Sequence, residues 1–291
     1  MRYEGIVIRP PSEAQSLILQ VTHGCSHNRC TFCPTYKGRR FEIRPPEEIR
    51  GDVREAMRWA GDARRIFLCD GDALAIPQKR LIPLLDLLNA SFPKLERIGI
   101  YGNARSILNK SVDELRDLRR RKLRIVYFGV ESGDDEVLER IRKGADRDRL
   151  LRAGLRVREA EILLSVTVLL GIGGVEGSHR HAVETAKLLS EMDPEYVGAL
   201  TVMVVPGTPL HEEMMRGEFQ LPDTFQLIEE LGLMVAHAQF TRCFFTSNHA
   251  SNYLPLRVHL PGQKEEALRL IRQVLTQRDR SQLRPEFLRA L

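Results

Sequence analysis

Up to about Pro206 the chain alternates short apolar runs with longer amphipathic stretches. The runs Leu17–Val21, Arg65–Cys69, Arg97–Tyr101, Arg124–Phe128, Leu163–Leu170 and Tyr196–Val204 predict strands. Most are continuously apolar rather than alternating, the pattern of parallel strands covered on both faces. Between them, apolar residues at helical spacing predict helices over Pro46–Trp59, Pro77–Asn89, Ser111–Arg121, Asp134–Ala160 (two helices) and Gly177–Glu191. Strands alternating with helices predict βαβ units with right-handed crossovers. Six such units fall short of a closed eight-stranded barrel. They suit a partial barrel or an open doubly wound α/β sheet.

Beyond Pro206 the pattern changes. Helices are predicted near Pro209–Arg216 and Asp223–His237, followed by an aromatic and Asn-rich segment and a last helix at Gln263–Gln277. That helix gathers Ala267, Leu268, Ile271, Val274 and Leu275 on one face, so it docks. The expected organisation is a core over residues 1–210, with a cysteine loop at 22–40, and a mainly helical extension over 211–291 that contributes to the substrate side. The last dozen residues, polar at their start, are expected to fray.

Composition narrows the setting. A chain of 291 residues buries enough apolar surface to fold without a metal. No run approaches the roughly 18 apolar residues of a membrane helix, and MRYEGIVIRPPSEAQ lacks the apolar stretch of a secretory signal. Five cysteines, three of them clustered, suit reduced thiols better than an even, dispersed disulfide framework. A cytoplasmic protein without membrane contact is the expectation. The net charge of +5 permits an anionic substrate or RNA without arguing for either. The densest basic run, Arg119 to Lys122, closes a predicted helix and complements its dipole.

Chemistry concentrates where the strands end. The first runs into a loop with Cys25, Cys30 and Cys33, spaced C-x4-C-x2-C. The others run into Cys69-Asp70-Gly71-Asp72, Tyr101-Gly102-Asn103-Ala104-Arg105, Gly129-Val130-Glu131-Ser132-Gly133, Gly171-Ile172-Gly173-Gly174 and Pro206-Gly207-Thr208-Pro209. In parallel α/β folds reactive groups collect at these positions, and six such loops predict one site across the C-terminal edge of the sheet. A structural zinc site needs four donors, which the cysteines would reach only with His23 or His27. Three thiolates instead leave one position open on a four-iron cluster, where a substrate or cofactor can bind. Phe32, just before Cys33, would shield such a cluster and offer its face to a planar ring.

From about Ser16 to Leu210 these residues resemble the radical S-adenosylmethionine (SAM) enzymes, whose usual cluster spacing has one residue fewer in the first gap. The resemblance implies a partial (β/α)6 TIM-like barrel and a 4Fe–4S cluster held by Cys25, Cys30 and Cys33, with SAM at the unique iron. It implies that Gly71 and Asp72 meet the SAM amino group, with Asp72 standing where a glutamate is usual. It places Glu131 at the ribose and Gly171, Gly173 and Gly174 close to the adenosine. The segment with Pro206 falls on the adenine side, and Asn103 and Arg105 complete the candidate cofactor contacts. Arg142 and Lys143 are candidates for the SAM carboxylate.

The reaction so implied is reductive cleavage of SAM to a 5′-deoxyadenosyl radical that takes a hydrogen atom from the substrate. An electron donor such as flavodoxin or ferredoxin would supply the electron. A small metabolite is the first expectation for the substrate and tRNA the second. Without a further cysteine cluster an auxiliary iron–sulfur centre is not expected, and neither is a cobalamin-dependent methylase. A non-catalytic zinc or iron–sulfur protein stays open at this point. Cys69 and Cys243 read as buried core residues. Ser247 to Tyr253 reads as a substrate-reading or cluster-capping loop, or as an elaborate turn.

Overall fold

The computed structural model describes residues 1–290. In chain order the elements are β1 (Leu17–Gln20), β2 (Thr22–His23), β3 (Glu42–Ile43), α1 (Pro46–Ala60), β4 (Arg65–Cys69), α2 (Gln78–Ser91), β5 (Arg97–Gly102), α3 (Ala104–Leu108), α4 (Val112–Arg120) and β6 (Leu123–Glu131). They continue with α5 (Asp135–Arg140), α6 (Arg147–Glu159), β7 (Leu163–Leu170), α7 (Gly174–Met192), β8 (Tyr196–Thr201), α8 (Pro209–Met215), α9 (Thr224–His237), β9 (Cys243–Thr246), β10 (Arg257–Leu260) and α10 (Lys264–Gln277). The chain divides into two compact units. One comprises Met1–Asn28, Thr35–Phe128 and Arg152–Leu164, and the other Arg29–Pro34, Gly129–Leu151 and the chain from Ser165 onward.

In the first unit β1, β4, β5 and β6 lie side by side, all parallel, with Leu17 beside Ile66, Ile66 beside Ile98, and Ile98 beside Leu123. Their continuous apolar character follows from cover on both faces. Ile66, Leu68, Ile98, Ile100, Leu85 and Leu88 are fully buried. Ile18, Phe67, Cys69, Ile125 and Tyr127 form a separate apolar cluster. In it the Phe67 ring meets Tyr101 and Tyr127 edge-on, with centroids 4.9 and 5.5 Å apart. Helix α4 opens with a capping box between Ser111 and Glu114, which makes Ser111, the first residue of the predicted span, its N-cap. The five residues of α3 are too few to show a helical period, so periodicity could not predict them. What starts α3 is a capping box between Asn103 and Ser106.

In the second unit β7, β8 and β9 are parallel and β10 returns antiparallel to β9. Helix α9 packs against α7 and against α10. The predicted apolar face of α10 is buried at Ala267, Ile271 and Val274, with Ile271 against Gly232 of α9. The C-terminal extension is therefore not only helical, because β9 and β10 add two strands to it. Arg257–Leu260 alternates exposed and buried residues, a four-residue signal overshadowed by the Asn-rich turn before it. The chain end is tied back rather than frayed. Arg284 donates to the carbonyls of His249 (2.6 Å) and Asn252 (2.7 Å), and Arg289 to that of Ser251 (2.8 Å).

Candidate active site

Cys25, Cys30 and Cys33 lie on irregular backbone between β2 and β3, half-buried and outside any disulfide. Cys25 belongs to the first unit, Cys30 and Cys33 to the second. In the first unit the loop is fastened to the residues that follow β4. Ser26 donates its hydroxyl to the Asp72 carboxylate, and the Tyr36 hydroxyl bonds to that of Asp70. Asn28, inside the enlarged gap, takes the left-handed conformation that Asn tolerates (φ 46°). From there its Nδ2 reaches the carbonyls of Tyr36 (2.7 Å) and Arg39 (3.0 Å), bracing the loop across its width.

In the second unit Thr31 holds the loop from both sides. Its N–H donates to the Ile141 carbonyl (2.9 Å), and its carbonyl accepts the Leu210 N–H (3.1 Å). Phe32 lies half-buried against the apolar cluster that contains Ile141, Ile172 and Leu210. The Thr31 hydroxyl is buried and has no hydrogen-bond partner among the described residues, although it sits between Cys30 and Phe32.

Asp72 is fully buried. Besides Ser26 it accepts from Asn103 Nδ2 (2.8 Å) and Ser106 Oγ (2.7 Å). Burial pushes its carboxyl above the usual carboxylate range, while the bonds from Ser26, Ser106 and Asn103 draw it back. Asp72 and Asn103 thus bond to one another, and the Asp72 oxygens face protein donors. Asp70, which the motif reading passed over, also has its carboxyl raised by burial while it accepts from Tyr36, Gln20 and the Gly71 N–H. Arg105 is exposed on α3.

Gly71 lies where no side chain fits. A Cβ there would stand 2.7 Å from the Tyr36 ring, 2.9 Å from Cys25 Cβ and 2.9 Å from the Gly24 carbonyl. Gly71→Ala is expected to destabilise the protein by about 1–3 kcal/mol and to reduce the iron retained after reconstitution. Thermal melting and an iron assay measure both. Unchanged values would show that Gly71 does not set the loop's position.

In the second unit Glu131 adopts a positive φ of 68°, uncommon for a side chain of its size. Such conformations persist where the surroundings hold them, and they concentrate at functional sites. Its carboxylate pairs with Lys143 at 2.9 Å, both side chains being largely buried. Gly171 also has a positive φ (82°), and a Cβ there would meet Leu227 Cδ2 at 2.7 Å. Its N–H donates to both oxygens of Glu230, at 3.0 and 3.2 Å. A Cβ at Gly173 would meet His181 Cβ at 3.0 Å. Pro206 is exposed ahead of α8, whose first turn is capped by the Thr208 hydroxyl.

Glu230 was not anticipated. It is fully buried and accepts from Ser178 Oγ (2.9 Å) and pairs with His181 Nε2 (3.0 Å), while His181 Nδ1 lies 2.8 Å from Ser132 Oγ. A carboxylate among the apolar positions of TFQLIEELGLMV was the available signal, since buried acids are seldom without a partner. The segment from Ser247 to Tyr253 is an elaborate turn. Ser251 Oγ accepts the Thr201 N–H (3.1 Å), and Asn252 bonds both Thr201 Oγ1 and the Ala199 carbonyl (2.8 Å each).

The five cysteines sort by environment. Cys69 and Cys243 are buried in apolar surroundings that push their thiols far up, so neither ionises readily. The other three are half-buried on a loop. Among the described residues no three His, Cys, Asp or Glu converge on a point for one ion. A polynuclear cluster places its thiolates on separate irons, and three accessible thiols on one braced loop fit that demand.

A model of the radical SAM superfamily matches residues 19–189, which covers every element from β1 into α7. The chain belongs to the radical SAM superfamily. That family uses a 4Fe–4S cluster and SAM. The chain is 24% identical over 170 residues to the heme chaperone HemW of Bacillus subtilis, covering 58% of this chain and 44% of that protein. It is 25% identical over 209 residues to the tRNA-2-methylthio-N(6)-dimethylallyladenosine synthase of Rickettsia typhi, covering 68% of this chain and 45% of that one. It thus spans less than half of either relative. Its fold resembles the crystal structure of methylornithine synthase (PylB), with a TM-score of 0.55 and 19% identity over 77% of this chain and 63% of that one. The α/β architecture is accordingly that of the partial TIM-like radical SAM barrel.

Proposed function

We propose that this protein is a radical SAM enzyme in which Cys25, Cys30 and Cys33 hold a 4Fe–4S cluster and a small metabolite is the substrate. The observation that carries the reading is the three-thiol loop fastened by Ser26 to Asp72 and by Tyr36 to Asp70, in a chain of this superfamily. When bound, the cluster and SAM supply a 5′-deoxyadenosyl radical after one-electron reduction. The protein's own share is positional. Asp72 orients Asn103 and Ser26, and Phe32 screens its side of the loop with an apolar face. Glu131, set by its left-handed backbone and Lys143, is the proposed ribose ligand. We take residues 1–210 as the catalytic core and the remainder as the substrate side.

A small molecule is favoured over tRNA because the densest basic run is already neutralised. Arg119 pairs with Glu161 (3.0 Å), Arg120 with Asp117 (2.9 Å) and Arg121 with Asp86 (2.9 Å). Phosphate backbones are held by Lys and Arg side chains free to displace the counterions condensed on the nucleic acid. Among the described residues no helix is long and apolar enough to cross a membrane. Thiols kept reduced for a cluster suit the cytoplasm, where flavodoxin or ferredoxin can donate the electron.

Anaerobic reconstitution with iron and sulfide, followed by dithionite and SAM, tests the proposal. The expected result is a brown protein with about four irons per chain that forms 5′-deoxyadenosine. One zinc per chain, or an intact cluster with no SAM cleavage, overturns the enzymatic reading.

A further inference from the structure

A cavity of about 230 Å³ opens in the first unit between the starts of α1 and α2, away from every residue assigned to the cluster or SAM. We propose that it binds an amphiphilic anion, an apolar chain carrying a carboxylate or phosphate head. The inference is independent of the catalytic reading above.

Its floor is apolar. Ile49 and Ile76 are buried, and Leu84 and Leu87 continue the same surface along α2. Four of the eleven lining residues are basic (Arg44, Arg50, Lys79 and Arg80) and none is acidic. Arg50 and Lys79 are exposed and have no carboxylate partner among the described residues, while Arg80 is steadied by a bond from Nη2 to the Arg44 carbonyl (3.0 Å). Scattered surface cations are ordinary. Three uncompensated ones around an apolar floor form a head-and-tail pattern.

Arg44 is the buried basic residue of the wall, paired with Asp52 and Glu48. It is 4% exposed and lines the cavity, and its Nη1 bonds the Gln20 carbonyl and Asp52 (2.7 Å each). Its Nε–H has no partner among the described residues. A buried donor left unmade costs about 1–3 kcal/mol. Both helices begin after a proline without a side-chain cap. At α2, whose first turn holds no acidic residue, the free N–H groups and the dipole add further positive potential, while Glu47 and Glu48 offset the dipole at α1.

The volume sets the size of the ligand. It exceeds the roughly 150 Å³ that admits benzene and lies below the roughly 300 Å³ floor for drug-sized ligands. A chain of about eight carbons matches, each buried methylene contributing about 0.8 kcal/mol.

Calorimetric titration of the full chain with octanoate, octyl phosphate and octyltrimethylammonium tests the proposal. Saturable one-to-one binding of an anionic probe is expected, with the cationic probe at least tenfold weaker, and the better of the two anions identifies the head group. R50E/K79E changes two exposed residues, so its melting temperature should hold while anion affinity falls at least tenfold. L84W, which fills the floor, should abolish binding. Equal binding of the cationic probe, no saturable binding of either anion, or unchanged affinity in R50E/K79E overturns it.

Discussion

Cys30→Ala is expected to leave a folded protein with no iron–sulfur chromophore and no detectable 5′-deoxyadenosine. The loss is complete because a cluster bound by three thiolates has no spare protein ligand. Cys69 and Cys243 cannot substitute, since both are buried and burial drives their thiols away from the ligating thiolate form. Folding is spared because Cys30 is half-buried in irregular backbone, outside the apolar clusters of either unit. Cys25→Ala and Cys33→Ala should behave alike. Absorbance near the cluster bands, iron content and chromatographic detection of 5′-deoxyadenosine decide it. Retained SAM cleavage in any one of the three would remove that cysteine from the ligand set.

The second large effect is on stability. Glu230→Ala should cost about 3–5 kcal/mol, the range for removing one partner of a buried pair. It leaves the Gly171 N–H, the Ser178 hydroxyl and His181 Nε2 without the carboxylate they now share. For a protein of this size such a loss lowers the melting temperature by about 10 °C. Glu230→Gln keeps the shape but sets an amide donor against those donors in part, so an intermediate loss is expected. Calorimetry on all three proteins orders them, and a drop below about 2 °C in the alanine variant would show that water or rearrangement compensates. The same substitution removes the two bonds that hold the Gly171 N–H at a turn of positive φ (82°).

The six strands were legible because full cover on both faces demands continuous apolar runs, and those runs stand out in any reading of the chain. The longer helices were legible for the same reason, through their periodic buried faces. α3, β9 and β10 were not, since five or four residues hold too little period to register. The cysteine loop and the loop with Gly71 and Asp72 were legible as chemistry because their residue types are unusual together. Their wiring was not. Ser26, Tyr36 and Asp70 are common loop residues, and only their meeting across 34 to 46 positions of sequence (Tyr36 with Asp70, Ser26 with Asp72) gives them a role. Asp72 shows the difference well. The motif suggests a carboxylate offered to a ligand, yet burial and three protein donors turn it into the post on which Asn103 and Ser26 are set.

The sequence by itself determined the strand–helix alternation, the thiol spacing and hence the family, because apolar period and reactive residue types are local properties of the chain. Only the tertiary structure decided which polar groups are used up inside the protein and which are left over. Glu230, Asn252 and Ser251 are consumed by buried partners. The Thr31 hydroxyl and Arg44 Nε are not. That distinction rests on desolvation and on donors brought together from distant positions, which no local pattern records.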